Sequence, residues 1–293
     1  MRCPSCLSKV VTEKQDYIGK SKVFQEKKLF ACKSCQLVFA SPAPTQKALS
    51  HYYKTYWDGE VAIVSASTER YYLAQSISRI HYIKSYVNFK KKLRVLDVGA
   101  GAGTMADALK KENIKCHYNA VEPDNTQRNN LTKKPNIFKI YSDLNKISNQ
   151  NKFDLIILSH VLEHVIYPHD FINKLTNLLD PKGYLFIEIP NEDFKHKHIV
   201  EPHLLFFNYT SLLKCIKEHG KVVNICSVGK EITNIKTTKS HPVKSSGISL
   251  FKELAKELLA IIDKGYISKQ ILKYQMSDYG ENRQWLRAII KKY

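Results

Sequence analysis

The chain has 293 residues, 43% hydrophobic and 25% charged, fractions that belong to a globular protein and exclude a disordered or collagen-like one. Its net charge of +19 points toward nucleic acid, but the excess sits on both flanks of a near-neutral middle. Of the 46 basic residues 39 are Lys, whereas readers of phosphates and base edges favour Arg, whose planar fork bonds bidentately.

No stretch approaches the roughly 18 apolar residues of a membrane span. The start, Met1-Arg2-Cys3-Pro4-Ser5-Cys6, has no apolar signal core. The expectation is a cytoplasmic chain, in which seven cysteines suggest metal or free thiols before disulfides.

Residues 1–40 are short strand-like pieces between Cys3-x-x-Cys6 and Cys32-x-x-Cys35. Each pair forms a knuckle aiming two thiolates at one ion, so the four predict a closed, structural Zn²⁺ site with no open position for catalysis. Residues 41–92 open on the linker Ser41-Pro42-Ala43-Pro44 and the aromatic cluster Tyr52, Tyr53, Tyr56 and Trp57. A helix is predicted behind it, from Leu73, Ile77, Ile80, Ile83 and Val87 at three-to-four spacing.

Residues 93–243 alternate apolar strands, near 94–97, 119–122, 137–141, 153–159 and 184–189, with amphipathic helices, which predicts a mostly parallel sheet covered on both faces. Val222–Val228 and Glu231–Thr237 are expected to close it as a hairpin around Gly229-Lys230, and 244–293 to form two helices.

The first strand of that region runs into Asp97-Val98-Gly99-Ala100-Gly101-Ala102-Gly103-Thr104. Glycines there let the backbone approach a ligand, and the following helix N-terminus favours a carboxylate or phosphate. Thr104 stands where a dinucleotide fingerprint needs its third glycine. Glu122 ends the second strand, where a carboxylate can accept two ribose hydroxyls, and Asp143 follows the third, positioned to meet an adenine.

With the runs Ser159-His160-Val161-Leu162-Glu163-His164-Val165 and Glu188-Ile189-Pro190-Asn191 on the next two strands, these residues resemble the class I S-adenosylmethionine-dependent methyltransferases. The resemblance implies a Rossmann-like, seven-stranded, mostly parallel sheet, here with a small N-terminal zinc ribbon and a helical C-terminal extension. It implies that Gly99, Gly101 and Gly103 face the methionine part of the cofactor, Asp97 orients its amino group, Glu122 binds ribose, and Asp143 with Leu144 flanks adenine. Ser159, ending the fourth strand, completes the expected cofactor set.

Three groups are candidates for the acceptor side: His160 with Glu163 and His164, the segment Glu201-Pro202-His203-Leu204-Leu205-Phe206-Phe207, and the tyrosine cluster as a lid. The ribbon followed by tyrosines, H-x-L-E-H and E-x-H looks like bacterial sugar methyltransferases, most of all the nucleotide-sugar C-methyltransferases. That resemblance implies proton transfer at Tyr56, Glu201 and His203, with His160 as a further candidate, although Pro202 here separates Glu201 from His203. The expected acceptor is a sugar, nucleotide-sugar or glycan intermediate, methylated on oxygen or carbon. An RNA methyltransferase is the alternative, and a non-catalytic adaptor the third reading. Quinone O-methyltransferases are similar around the fourth strand but carry E-x-x-E-H; His160 replaces the first acid, so no divalent metal is expected there.

Overall fold

Two sheets carry the chain. The computed structural model describes residues 1–56, 66–232, 265, 269 and 283–293. The first sheet begins with β1 (Val11–Asp16), β2 (Lys28–Cys32) and β3 (Val38–Ser41), paired antiparallel in sequence order. Helices α1 (Gln46–Lys54), capped by the Thr45 hydroxyl accepting the Ala48 N–H, and α2 (Ala66–Lys84) follow.

The second sheet starts with β4 (Leu93–Val98), α3 (Thr104–Lys111), β5 (Cys116–Val121), α4 (Asn125–Thr132) and β6 (Ile137–Tyr141). It continues with β7 (Phe153–Ser159), α5 (Pro168–Asn177) and β8 (Leu179–Pro190). After β8 come β9 (Leu205–Phe206), α6 (Tyr209–Ile216), β10 (Lys221–Glu231) and β11 (Arg283–Lys291). The second sheet is seven-stranded, in the order β10-β11-β8-β7-β4-β5-β6. Strands β4 to β8 are parallel, while β11 is antiparallel to both its neighbours. This is the expected Rossmann-like architecture of class I methyltransferases.

The apolar runs are continuous because both faces are covered. On β7, Leu155 and Ile157 join the core beneath α2 and α3, whereas Ile156 and Leu158 join the core beneath α5 and α6. The neighbours of β4 lie on opposite sides, β5 to one and β7 to the other. In open α/β sheets that reversal opens a crevice at the carboxyl ends of the strands, where ligands bind.

Two expectations need correction. Residues 283–291, expected within a helical extension, form β11, because Leu286, Ala288, Ile289 and Ile290 are buried in register against Ile189, Ile187, Phe186 and Leu185. A helix would leave part of that apolar set in water. The chain does not turn at Gly229-Lys230 either: β10 runs on to Glu231 and takes β11 as its antiparallel partner, Cys226 opposite Arg287. Gly229 has φ +95°, and a Cβ there would stand 2.9 Å from the Trp285 ring. The remainder of the expected second hairpin strand and of residues 244–282 lies outside the described residues, apart from Gly265 and Lys269.

Residues 1–40, expected as a zinc-ribbon module, share a sheet and a core with the rest. Strand β9 pairs with β3, Val38 opposite Phe206 and Phe39 opposite Leu205, and the Ala40 N–H donates to the Leu204 carbonyl at 2.8 Å. The loop that follows β8 is thereby stitched to the ribbon. Among the described residues no helix is long and apolar enough to cross a membrane.

Candidate functional site

A cleft of about 2140 Å³ opens at the carboxyl ends of β4, β5 and β7. Ordinary small-molecule pockets reach about 1,000 Å³, and this cleft is larger. Asp97, Gly99, Gly101, Glu122, Asp143, Leu144 and Ser159 all line it, so of the expected cofactor residues only Gly103 stands back from the wall. Gly103 is the N-cap of α3, with φ +77°, and a Cβ there would press 2.7 Å from Leu131. The loop packs closely on Leu131 and Lys134 at this position.

Gly101 is different, since a Cβ built on it meets nothing within 4 Å. The loop is held from below by Glu122, whose Oε2 accepts the Gly101 N–H at 2.7 Å and whose Oε1 accepts the Asp124 N–H at 2.9 Å. Glu122 is 6% exposed, and burial raises its pKa against those two bonds. Each of its oxygens keeps a second lone pair for a ligand hydroxyl. Asp97 is also buried and accepts a hydrogen bond from the Tyr118 hydroxyl; burial pushes its pKa up to about 6. The Ser159 hydroxyl is buried and has no hydrogen-bonding partner among the described residues.

The other end of the cleft is lined by Tyr53, Tyr56, His160, His164, Phe171, His203 and Trp285. Rings of Tyr52, Tyr53 and Tyr56 lie 5.2–5.9 Å apart at the end of α1, and Tyr53 meets the His164 ring at 5.6 Å. Tyr56 is 39% exposed; Trp57 lies outside the described residues. Of the expected cluster, Tyr53 and Tyr56 border the cleft, with Tyr53 the deeper, while Tyr52 packs behind them.

The histidines differ sharply. His160 has φ +55°, a left-handed conformation rare outside glycine. Its Nδ1 lies 3.3 Å from Glu163 Oε1 and its Nε2 3.3 Å from Glu188 Oε1. Burial alone would lower its pKa, but the two carboxylates outweigh this and raise it to about 9. A ring with both nitrogens facing carboxylates is a fixed cation, which argues against His160 as a proton acceptor. Burial pushes His164 down to about 4, and its Nδ1 lies 3.3 Å from the Pro202 carbonyl. His203 is 8% exposed, and its Nδ1 lies 2.8 Å from Asp193 Oδ2.

Glu201, expected beside His203, is engaged elsewhere. Its Oε2 accepts the N–H groups of Lys20 and Ser21, and its Oε1 accepts the Tyr52 hydroxyl. It ties the ribbon and α1 to the loop after β8. The carboxylate beside His203 is Asp193, ten positions earlier, and no sequence motif marked it. Sequence reasoning also missed the floor of the cleft, where Glu188 is clamped between Arg79 (2.7 Å) and Arg287 (2.6 Å). The available signal was one acid in the apolar run Leu185-Phe186-Ile187-Glu188-Ile189, because a buried charge requires partners.

The four ribbon cysteines converge, their sulfurs within 4.8 Å of one another. Cys3 and Cys35 are 3.5 Å apart, Cys6 and Cys32 3.4 Å; a tetrahedron of 2.3 Å Zn–S bonds has edges of about 3.8 Å. The knuckles are built alike: the Cys3 and Cys32 carbonyls accept from Leu7 and Gln36, both with left-handed φ, and the Cys3 and Cys32 N–H groups donate to Ser8 and Leu37. The hydrogen bond between the Cys3 and Cys35 sulfurs raises Cys3 and lowers Cys35 to about 5. The donor set fits a Zn²⁺ ion. Glu163, His164 and His203 form a second group whose ligand atoms lie within 4.8 Å.

Residues 66–224 match the family model of a methyltransferase domain. The ubiquinone biosynthesis O-methyltransferase of Rickettsia bellii is 30% identical over 125 residues, 40% of this chain and 50% of that protein. The one from Coxiella burnetii is 31% identical over 121 residues, 40% of this chain and 51% of that protein. The chain thus spans about half the length of the curated relatives it matches. A solved S-adenosylmethionine-dependent methyltransferase from Thermotoga maritima aligns over 84% of this chain and 100% of that one, with a TM-score of 0.51 at 16% identity, a likeness of fold.

Proposed function

Because the chain belongs to the family of methyltransferase domains, we propose that it transfers a methyl group from S-adenosylmethionine to a hydroxyl of a small polar acceptor, a sugar or nucleotide-sugar. One observation carries this reading. Acids at three successive strand ends, Asp97, Glu122 and Asp143, border one cleft with a glycine loop whose Gly101 is open to it.

Bound there, S-adenosylmethionine supplies an electrophilic methyl group. Asp97 holds the amino group, Glu122 the ribose hydroxyls, and Asp143 with Leu144 the adenine, while Gly101 leaves space for the methionine moiety. The aromatic end, Tyr53, Tyr56 and Trp285, excludes water and seats the acceptor. His203 removes the hydroxyl proton, a contribution of about 10²–10⁴ in rate for a general base. The four cysteines hold one structural Zn²⁺, which stabilises the ribbon and, through β3 and β9, the loop that carries His203.

A second acceptor class has its own support. The curated relatives are named ubiquinone biosynthesis O-methyltransferases, and the aromatic lining suits a planar phenolic ring as well as a sugar. Calorimetry tests the shared core of both readings. S-adenosylmethionine should bind at micromolar Kd, about −8 kcal/mol, and Gly101→Arg should abolish binding by filling the cleft. Equal affinity in the two proteins would overturn the proposed cofactor site.

A further inference from the structure

We propose that Asp193 is a positioning residue for the reaction: it holds the His203 imidazole with its proton on Nδ1 and so leaves Nε2 bare for the acceptor. The inference rests on the methyl-transfer reading above and adds the group that makes His203 a base.

The geometry is specific. Asp193 and His203 side chains are 3% and 10% exposed, and Oδ2 stands 2.8 Å from Nδ1. Nδ1 and both Asp193 oxygens are buried, and Oδ2 is the polar atom that the fold sets against Nδ1, as a close ion-pair contact. His203 also lines the cleft, so the ring has one side against Asp193 and another toward the ligand space. Which ring nitrogen carries the proton is set by the acceptor that the other side meets.

The backbone fixes both partners. Asp193 opens a 3-10 turn after Glu192, which is left-handed at φ +46°, and its carbonyl accepts the N–H groups of His196 and Lys197. The His203 N–H donates to Val200. Burial alone would raise the Asp193 carboxyl, but His203 and Lys197, whose Nζ is 2.7 Å from Oδ2, hold it well below the usual range. Lys197 sets a cation on this carboxylate whatever the charge of His203, so Asp193 can serve as the acceptor facing Nδ1.

The groups around His203 leave this role to it. The His164 ring packs edge-on at 4.8 Å and Phe206 at 6.3 Å, with Glu163 beside His164. His164 has its Nδ1 against the Pro202 carbonyl, and His160 has both nitrogens on carboxylates. Among the described histidines lining the cleft, His203 is the one whose Nδ1 stands as close as 2.8 Å to a carboxylate, and a ring nitrogen of it also lies within 4.8 Å of Glu163 and His164 donor atoms.

In the reaction, an acceptor oxygen pair forms the bond to the methyl carbon as the carbon–sulfur bond breaks toward sulfur. The hydroxyl proton passes to His203 Nε2. The Nδ1 proton stays in place, and the resulting imidazolium faces the Asp193 anion. Asp193 touches neither ligand.

The test uses the full chain labelled with ¹⁵N-histidine, zinc-loaded, in long-range ¹H–¹⁵N correlation spectra, with His203 assigned from the signals missing in His203→Gln. The proposal expects Nδ1–H and a bare Nε2 in the wild type. Asp193→Asn should move the proton to Nε2, while S-adenosylmethionine affinity stays within about twofold. A wild-type ring protonated on Nε2 overturns the proposal, as does an unchanged tautomer in both Asp193→Asn and Asp193→Ala. Titration of added Zn²⁺ or Mn²⁺ onto the Nε2 signal would also overturn it, by making Glu163, His164 and His203 a metal site. Loss of cofactor binding by the wild type would instead strike the methyl-transfer reading and leave the tautomer result standing.

Discussion

Glu188→Gln removes the charge on which the floor of the cleft is built while keeping the side chain's shape. The carboxylate is 1% exposed and receives Arg79 Nε at 2.7 Å, Arg287 Nε at 2.6 Å and His160 Nε2 at 3.3 Å. These contacts join β8 to α2, to β11 and to the turn after β7. Burial alone would raise its pKa, yet the two guanidiniums and His160 hold it well below the usual carboxylate range.

The amide can accept one arginine at most and leaves the other buried without an anion. Removing one partner of a buried pair costs about 3–5 kcal/mol, a large share of the 5–15 kcal/mol that keeps a domain folded. For a chain of this size that is a fall in Tm of roughly 5–8 °C. The sign with pH follows from the depressed pKa: the advantage of wild type over variant is complete above about 4.5, the ordinary value, and shrinks as pH falls toward the folded-state pKa. Calorimetric melts of both proteins at pH 7 and pH 4 measure this. A pH 7 difference below about 1 kcal/mol, or a gap that widens in acid, would refute the assignment of Glu188 as the charged keystone of the floor.

The other expectations are simpler to check. Elemental analysis should find about one zinc per chain, lost in Cys32→Ser with loosening of the β1–β3 sheet; zinc retained after replacement of all four ribbon cysteines would reject the site. Glu122→Gln should weaken S-adenosylmethionine about 10–100-fold by calorimetry, because it weakens one charge-assisted ribose contact of order 1.5–3 kcal/mol; unaltered affinity would remove Glu122 from the site. His160, raised to about 9, stabilises the fold fully below about 6.5, its ordinary value, and that contribution fades as pH rises through 9. His160→Gln should flatten this alkaline decline in Tm, and an identical slope in the two proteins would contradict the fixed imidazolium.

How far the sequence reached depends on the range of the interaction. The parallel strands were legible because each face of a covered sheet writes apolar residues into the chain locally, as Leu155 to Leu158 do. The glycine loop and Glu122 were legible for a similar reason: a fixed strand–turn–helix geometry puts functional residues at fixed offsets. Strand β9 is two residues long and exists only because β3, over 160 positions earlier, presents an open edge; so short a strand has no period of its own. Strand β11 reads as easily as a helix until β8 and β10 supply its partners. The link from His203 to Asp193 was hidden by Glu201, a nearer acid whose charge the fold directs to the ribbon instead.

The central claim is methyl transfer in this cleft, and the fate of a labelled methyl group tests it most directly. The protein would be incubated with methyl-labelled S-adenosylmethionine and a panel of nucleotide-sugars, free sugars and dihydroxybenzoates, with a Gly101→Arg control, and the products resolved by mass spectrometry. The account predicts label on a hydroxyl oxygen of one acceptor class, with S-adenosylhomocysteine formed one for one, and none of either with the Gly101→Arg protein. Label appearing equally with wild type and Gly101→Arg, or acceptor methylation that survives His203→Ala and Asp193→Asn undiminished, would contradict it.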